Sequence, residues 1–241
     1  MYNQTSRTFP EFLYERAMIE ELRLRELAAV QQDEYTIYYK ERIVGEQRLD
    51  LFVVQEVVVE NKVAERLTAL HRAQCASYLK TVGLVFNFGS DSPAFERVYM
   101  DPARVKPTPA TPPPQDASED RLYPDLSYAI LGALFEVHSI IGPGFVHRIY
   151  GNACHHELTL RGLAAIPAKR IQVAYKNIVL GDIAFGHLTV EGKVMVFPAA
   201  YRDASVIHYD TLKYWMRLSG IRLGILANFN ATRLQLVFVR A

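Results

Sequence analysis

Cysteine is scarce in this chain. Only Cys75 and Cys154 occur in 241 residues, far apart and without the spacing of a metal site. That argues against a disulfide framework or a thiolate zinc site, and both read as reduced core residues. No apolar run reaches the roughly 18 residues a bilayer span needs. The opening "MYNQTSRTFPEF" lacks the charged and apolar regions of a signal peptide, so a cytoplasmic location is expected. Net charge is also nearly absent, at +1, but it is unevenly spread. Residues 1–100 hold 12 Lys and Arg against 15 Asp and Glu; residues 122–241 hold 12 against 7. A basic second half can attract phosphate backbones or dock on the acidic first half.

What is present is enough apolar side chain, 50% of the residues, to bury a proper core in one large domain or two ordinary ones. Around residues 101–121 the text is rich in Pro, Ala and Thr without an apolar period, which predicts a semi-rigid linker between a domain at 1–100 and another at 122–241. The flanks can be laid over one another. "YERAMIEELRLRELAAV" from Tyr14 matches "YGNACHHELTLRGLAAI" from Tyr150, and "YKERIVGE" from Tyr39 matches "YKNIVLGD" from Tyr175, in one register without gaps. A register held through helix, loop and strand implies an internal duplication.

Each copy reads as helix, three strands, helix, strand. In the first, Phe12 to Ala29 carries apolar residues at helical spacing, and a second amphipathic helix runs from Leu67 to Thr81. The second copy adds a leading helix, "LSYAILGALFEVHSIIG", closed by Gly142-Pro143-Gly144. Between Gly83 and Asn87 the first copy is about four residues shorter than "GIRLGILANF".

The stretch "GEQRLDLFVVQEVVVENK" sets Asp50, Glu60 and Lys62 among strand-forming apolar residues, where unpaired charge is costly. Glu60 and Lys62 are two apart in a strand and leave the same face. An odd-length turn around Gln55 places Asp50 opposite Glu60. In the second copy, Glu191-Gly192 reads as a two-residue turn that sets Gly186 opposite Phe197. Two adjacent carboxylates stay ionised most readily around a divalent cation, and oxygen ligands suit Mg²⁺ or Mn²⁺, which can activate a water beside a phosphodiester. Lys62 would position that water or offset developing charge. A solvated cross-strand salt bridge is the alternative.

Asp50 followed by Glu60-Asn61-Lys62 resembles the D…(D/E)-x-K motif of the PD-(D/E)XK nuclease superfamily, and Gln74 with Tyr78 resembles the Gln-x-x-x-Tyr helix of its RecB-type members. More narrowly, "FLYERAMIEELRLREL", "QCASYLKTVG", "NFG" and "GALFEVHSIIGPGF" are similar to the GxxExxR family. The resemblance implies an α/β (α+β) core of restriction-endonuclease type in two tandem copies, and Mg²⁺-dependent cleavage of DNA or RNA. It makes Asp50 and Glu60 metal ligands, Lys62 the catalytic lysine, and Gln74 and Tyr78 supports of the site. Glu11, Glu15 and Glu21 are candidates for an acidic residue on the first helix. Glu15 leads because its counterpart is Gly151, whereas Glu21 faces Glu157 and is expected to pair with Arg25.

In the second copy Gly186, Phe197, Ala199, Thr211 and Trp215 stand for Asp50, Glu60, Lys62, Gln74 and Tyr78, so that copy is expected to bind no catalytic metal. His155 and His156 point about 100° apart on a helix and do not readily clasp one ion; His138 and His147 flank the Gly-Pro-Gly turn. The copy can act as the second half of an intramolecular pseudo-dimer, with further homo-oligomerisation open, or hold nucleic acid through Arg148, Lys169, Arg170, Arg217 and Arg222. Beside a nuclease with one live site stands a non-catalytic nucleic-acid- or protein-binding pseudo-dimer.

Overall fold

The computed structural model describes residues 9–31, 34–78, 82–92, 94–99, 122–176, 178–201 and 209–241. The expected linker at 101–121 and the side chain of Tyr78 lie outside the described residues. In the first copy the elements are α1 (Glu11–Leu24), β1 (Ala29–Gln31), β2 (Glu34–Tyr39), β3 (Arg42–Arg48), β4 (Leu51–Val53), β5 (Val57–Lys62), α2 (Ala69–Tyr78), β6 (Val82–Asn87) and β7 (Ala94–Tyr99). The second copy contains α3 (Pro124–Ile141), α4 (His147–Leu160), β8 (Ala165–Tyr175), β9 (Ile178–Val190), β10 (Val194–Ala199), α5 (Tyr209–Leu218), β11 (Leu223–Asn228) and β12 (Gln235–Arg240).

Each copy builds a five-stranded mixed sheet. The orders are β1-β4-β5-β6-β7 and β8-β9-β10-β11-β12, antiparallel except for the central parallel pairs β5/β6 and β10/β11. A helix, α2 or α5, makes the crossover that a parallel pair requires. The edge strands β7 and β12 complete the sheets beyond the six-element reading, and in the first copy five strands, not three, separate the two helices, with β2 and β3 paired as a hairpin of their own. One face of the first sheet packs Tyr14 and Met18 of α1 against Leu51, Val53, Val59 and Phe88. Tyr14 stacks on Phe88 at 4.5 Å between ring centres, and their counterparts Tyr150 and Phe229 stack at the same distance. The duplication is therefore legible in packing as well as in sequence.

Two registers differ from expectation. Lys193 N donates to Val190 O, and Val194 pairs with Val190, so the second-copy turn has three residues, Glu191 to Lys193. The first copy uses the same turn, Val54 to Glu56, between the paired Val53 and Val57. Continuing the ladder from Val196–Leu188 sets His187 beside Phe197. His187, and not Gly186, is thus the counterpart of Asp50. The extra residue lies upstream, on the bulged β8–β9 hairpin, where a bulge absorbs an insertion without shifting the core face. The shortening of the first copy likewise precedes β6: β5/β6 and β10/β11 both pair over six residues.

Helix α1 stops at Leu24, short of Ala29, because Glu26 adopts a left-handed φ of 59° and Leu27 N closes the end on Leu22 O at 3.0 Å. The second copy makes the same closure from Leu163 N to Leu158 O, with Gly162 at φ 75°. Glycine accepts that conformation freely and glutamate does not.

The described residues form two compact units, and the second includes Tyr38–Gly45, the tip of the β2–β3 hairpin. Tyr39 and Val44 are buried there, and a Cβ on Gly45 would lie 2.9 Å from Ile149 Cγ1. The tip closes over Glu157, which accepts hydrogen bonds from the Tyr39 hydroxyl (2.8 Å), Lys40 Nζ (2.5 Å) and Arg161 Nε (2.8 Å). Burial pushes the Glu157 carboxyl up, but these donors outweigh it and hold the group below its ordinary value. Glu157 is thus a structural anion. Its counterpart Glu21 pairs with Arg25, as expected.

In the second copy α3 lies against α4, and Arg161 Nη2 donates to Gly132 O at 3.2 Å. Nothing in the described first copy corresponds to α3. The same side of α1 borders an apolar groove of about 470 Å³, lined by Met18, Leu22, Val57, Leu84 and Phe86 among others.

Replacing Glu26 by Gly relieves the left-handed residue and is expected to raise stability by about 1 kcal/mol. A urea titration checks it: the midpoint should rise with unchanged slope. Glu157→Gln should lower the melting temperature at neutral pH. Because the folded carboxyl lies below its ordinary 4.5, its contribution is complete above that value and lost as pH falls through the folded one. The gap between variant and parent should therefore narrow on acidification below about pH 4.5.

Candidate active site

Strand β5 reads "VVVENK", and alternation along it decides which groups meet. Val57, Val59 and Asn61 leave one face; Val58, Glu60 and Lys62 leave the other. Lys62 Nζ and Glu60 Oε2 are 3.0 Å apart, with only 7% and 8% of their side chains exposed. The Lys62 ammonium also donates to Asn61 O at 3.1 Å. Pairing of Leu51 with Val59 brings Asp50 next to Glu60 at the start of β4, and Asp50 Oδ2 accepts from Asn61 N at 2.9 Å. Asp50, Glu60 and Lys62 are thus brought together. They form a tight buried pair with a second carboxylate beside it, not a solvated salt bridge.

The end of β5 is clamped by Asn87 at the end of β6. Its Oδ1 accepts from Ala64 N at 3.0 Å, and its Nδ2 donates to Ala64 O at 2.8 Å. Asn228 clamps Tyr201 in the same way in the second copy, with bonds of 3.0 and 3.1 Å. The clamp belongs to the scaffold, since it survives where the charged groups do not. The "NFG" match in sequence was its only signal.

Helix α1 contributes two carboxylates. Glu15 is buried and accepts from Gln31 Nε2 at 3.3 Å. Glu11 Oε1 accepts from Val63 N at 3.3 Å, one residue beyond Lys62, and its charge acts on both Glu60 and Lys62. Sequence comparison favoured Glu15; the folded chain adds Glu11. Both are lost in the second copy, where His147 and Gly151 stand, so the signal for Glu11 was already in the alignment. From α2, Gln74 and Cys75 are buried.

The electrostatics are unbalanced. Burial raises the Glu60 carboxyl above the ordinary range; Lys62 pulls it down, and Asp50 and Glu11 push it back up. Burial works to lower Lys62, yet the surrounding carboxylates overcome it and hold the ammonium above its ordinary value. Cys75 is pushed up to about 12, by burial first and the Glu60 charge second. Several carboxylates thus share a single ammonium in low dielectric, an arrangement that one further cation would relieve.

The sequence profile of the PD-(D/E)XK nuclease superfamily matches residues 1–98 and again 124–240. The chain belongs to that superfamily. No curated protein and no solved structure matches the chain significantly. Superfamily membership explains the mixed α/β copies and implies a nuclease, whose relatives generally use divalent metal ions. Among the described residues no three metal-binding side chains converge into a cage. Two carboxylates still suit Mg²⁺, which keeps several waters and is held by one or two protein carboxylates plus substrate phosphate. Asn61 leaves the opposite face of β5, and among the described residues both polar atoms of its buried amide lack a partner. The donor set fits such an ion.

The second copy keeps the frame without the charges. Phe197 and Ala199, at the places of Glu60 and Lys62, pack with Leu212 and Met216 of α5 in an apolar cluster. Among the described residues no helix is long and apolar enough to cross a membrane.

Cys75 should resist alkylation by iodoacetamide in the folded protein at pH 8 and react once denaturant is added, which mass spectrometry after timed quenching would read directly.

Proposed function

We propose that the first copy is a Mg²⁺- or Mn²⁺-dependent nuclease that hydrolyses phosphodiester bonds of DNA or RNA, with Asp50 and Glu60 as metal ligands and Lys62 as the catalytic lysine. The observation that carries this reading is the buried meeting of Asp50, Glu60 and Lys62 at the open end of β4 and β5, with Glu11 in electrostatic reach. A bound divalent ion would polarise the phosphodiester and lower the pKa of a water. The chain's residues do the rest. Asp50 and Glu60 would hold the ion, and the backbone N–H of Asn61 fixes the Asp50 carboxylate. Lys62, held as an ammonium by the carboxylates around it, is placed to stabilise negative charge developing on the phosphate. Glu11 and Glu15 supply acidic groups from α1, and Gln74 and Tyr78 on α2 support the site or touch the phosphate. We read both copies as GxxExxR-type members of the superfamily, with the second copy as a pseudo-subunit.

Incubation of the full chain with Mg²⁺ or Mn²⁺ and labelled single-stranded, duplex and branched DNA and RNA should give cleavage that chelation abolishes. Lys62→Ala and Asp50→Asn should each lower the rate by about 10²–10⁴-fold, with circular dichroism confirming the fold. Cleavage by Lys62→Ala at the parental rate would refute the mechanism. So would calorimetry showing no Mn²⁺ binding that depends on Asp50 and Glu60.

A further inference from the structure

The copy without the catalytic trio contains a cavity of about 360 Å³ where α4 begins beside β8 and β9. Its lining includes His147, Arg148, Gly151, Lys169, His187 and Pro198. In the alignment of the copies, five of these match Glu11, Glu15, Asp33, Asp50 and Asn61; Asp33 lies outside the described residues, and the last two matches follow the observed strand register. Loss of the acidic groups has therefore left more than an apolar plug. Four carboxylate positions have become two histidines, a lysine and a glycine, and Arg148 replaces Phe12. Among the described residues no carboxylate lines the cavity.

Charge and shape together specify a ligand class. Arg148 and Lys169 are exposed and, among the described residues, have no acidic partner. Helix α4 opens at the same place, with no acidic residue in its first turn and no side chain capping it, so the positive end of its dipole adds to the basic rim. Behind the rim the wall is apolar, with Pro167, Leu188 and Pro198. A basic rim over an apolar recess suits a ligand with phosphate at one end and a flat apolar ring at the other, and the volume lies at the small end of the roughly 300–1,000 Å³ usual for ligand sites.

We infer that this cavity is a binding site for one nucleotide unit of a single-stranded nucleic acid, with the phosphate on Arg148 and Lys169 and the base against Pro167, Leu188 and Pro198. The second copy then grips the strand independently of any reaction in the first. Apolar contact with proline and leucine does not read the hydrogen-bonding edges of a base, so the site tolerates any base.

The test uses the full chain in EDTA, which silences metal chemistry, and a fluorescein-labelled oligothymidylate of about eight nucleotides, a length on the scale of single-strand sites, followed by fluorescence anisotropy. Gly151→Leu fills the cavity without strain, since a Cβ at Gly151 meets nothing within 4 Å. It should weaken binding by about tenfold or more. The double variant Arg148→Ala with Lys169→Ala, both surface positions, should weaken binding and flatten the log–log salt slope by about one for each phosphate contact removed. Arg233→Ala, an exposed cation of the same copy outside the cavity lining, should leave the affinity unchanged, which separates this site from general basic character. Thymidine monophosphate should compete with the oligonucleotide far better than inorganic phosphate. Parental affinity in folded Gly151→Leu, an unchanged salt slope in the double variant, or equal competition by inorganic phosphate would each overturn the assignment.

Discussion

The ion pair between Glu60 and Lys62 is buried on both sides, and burying two charges usually costs more than their attraction returns. Here the imbalance goes further, because Asp50 and Glu11 add negative potential to a place that holds one ammonium. Everything around the pair limits that cost. The turn after Val53 fixes the register that brings Asp50 to Glu60, the Asn61 amide N–H holds the Asp50 carboxylate, and the Asn87 clamp keeps the end of β5 from fraying. A fold that needed only stability would replace the pair by packed apolar groups, as the same chain does at Phe197 and Ala199.

That internal comparison separates scaffold from chemistry without any other sequence. The stacked Tyr and Phe, the asparagine clamp, the three-residue turn and the mixed sheet occur in both copies. Among the described residues, what differs includes the charged positions, the helix that precedes the second repeat and the bulged β8–β9 hairpin. The buried Glu157 network marks a third category, in which charge serves structure: three donors neutralise one carboxylate, and no excess remains. Buried anions alone do not identify a site; an unbalanced set of them does.

Much of this was readable in the sequence, because strand alternation and internal repetition are written at fixed periods. Glu60 and Lys62 share a face for that reason, and Asp50 reaches them once the turn length is known. The errors arose where geometry depends on a single residue. Glu191-Gly192 suggested a two-residue turn, yet a third residue completes it, which moves the counterpart of Asp50 from Gly186 to His187. Glu26 gave no sign that it would end α1 in a left-handed conformation, since only the Gly at the equivalent position carries that signal. Preference for Glu15 rested on the comparison of the copies, and the fold adds Glu11, whose carboxylate reaches the backbone just beyond Lys62.

The apolar groove beside α1 bears on how cohesive each half is. In the second copy the leading helix seals that side and buries Ile130, Leu134 and Val137. The first copy holds its unbalanced charges in the thinner of the two cores, so the half suited to chemistry is also the half with less to resist local opening. Among the described residues, two copies of one fold thus bury unequal amounts of apolar side chain beside the same helix.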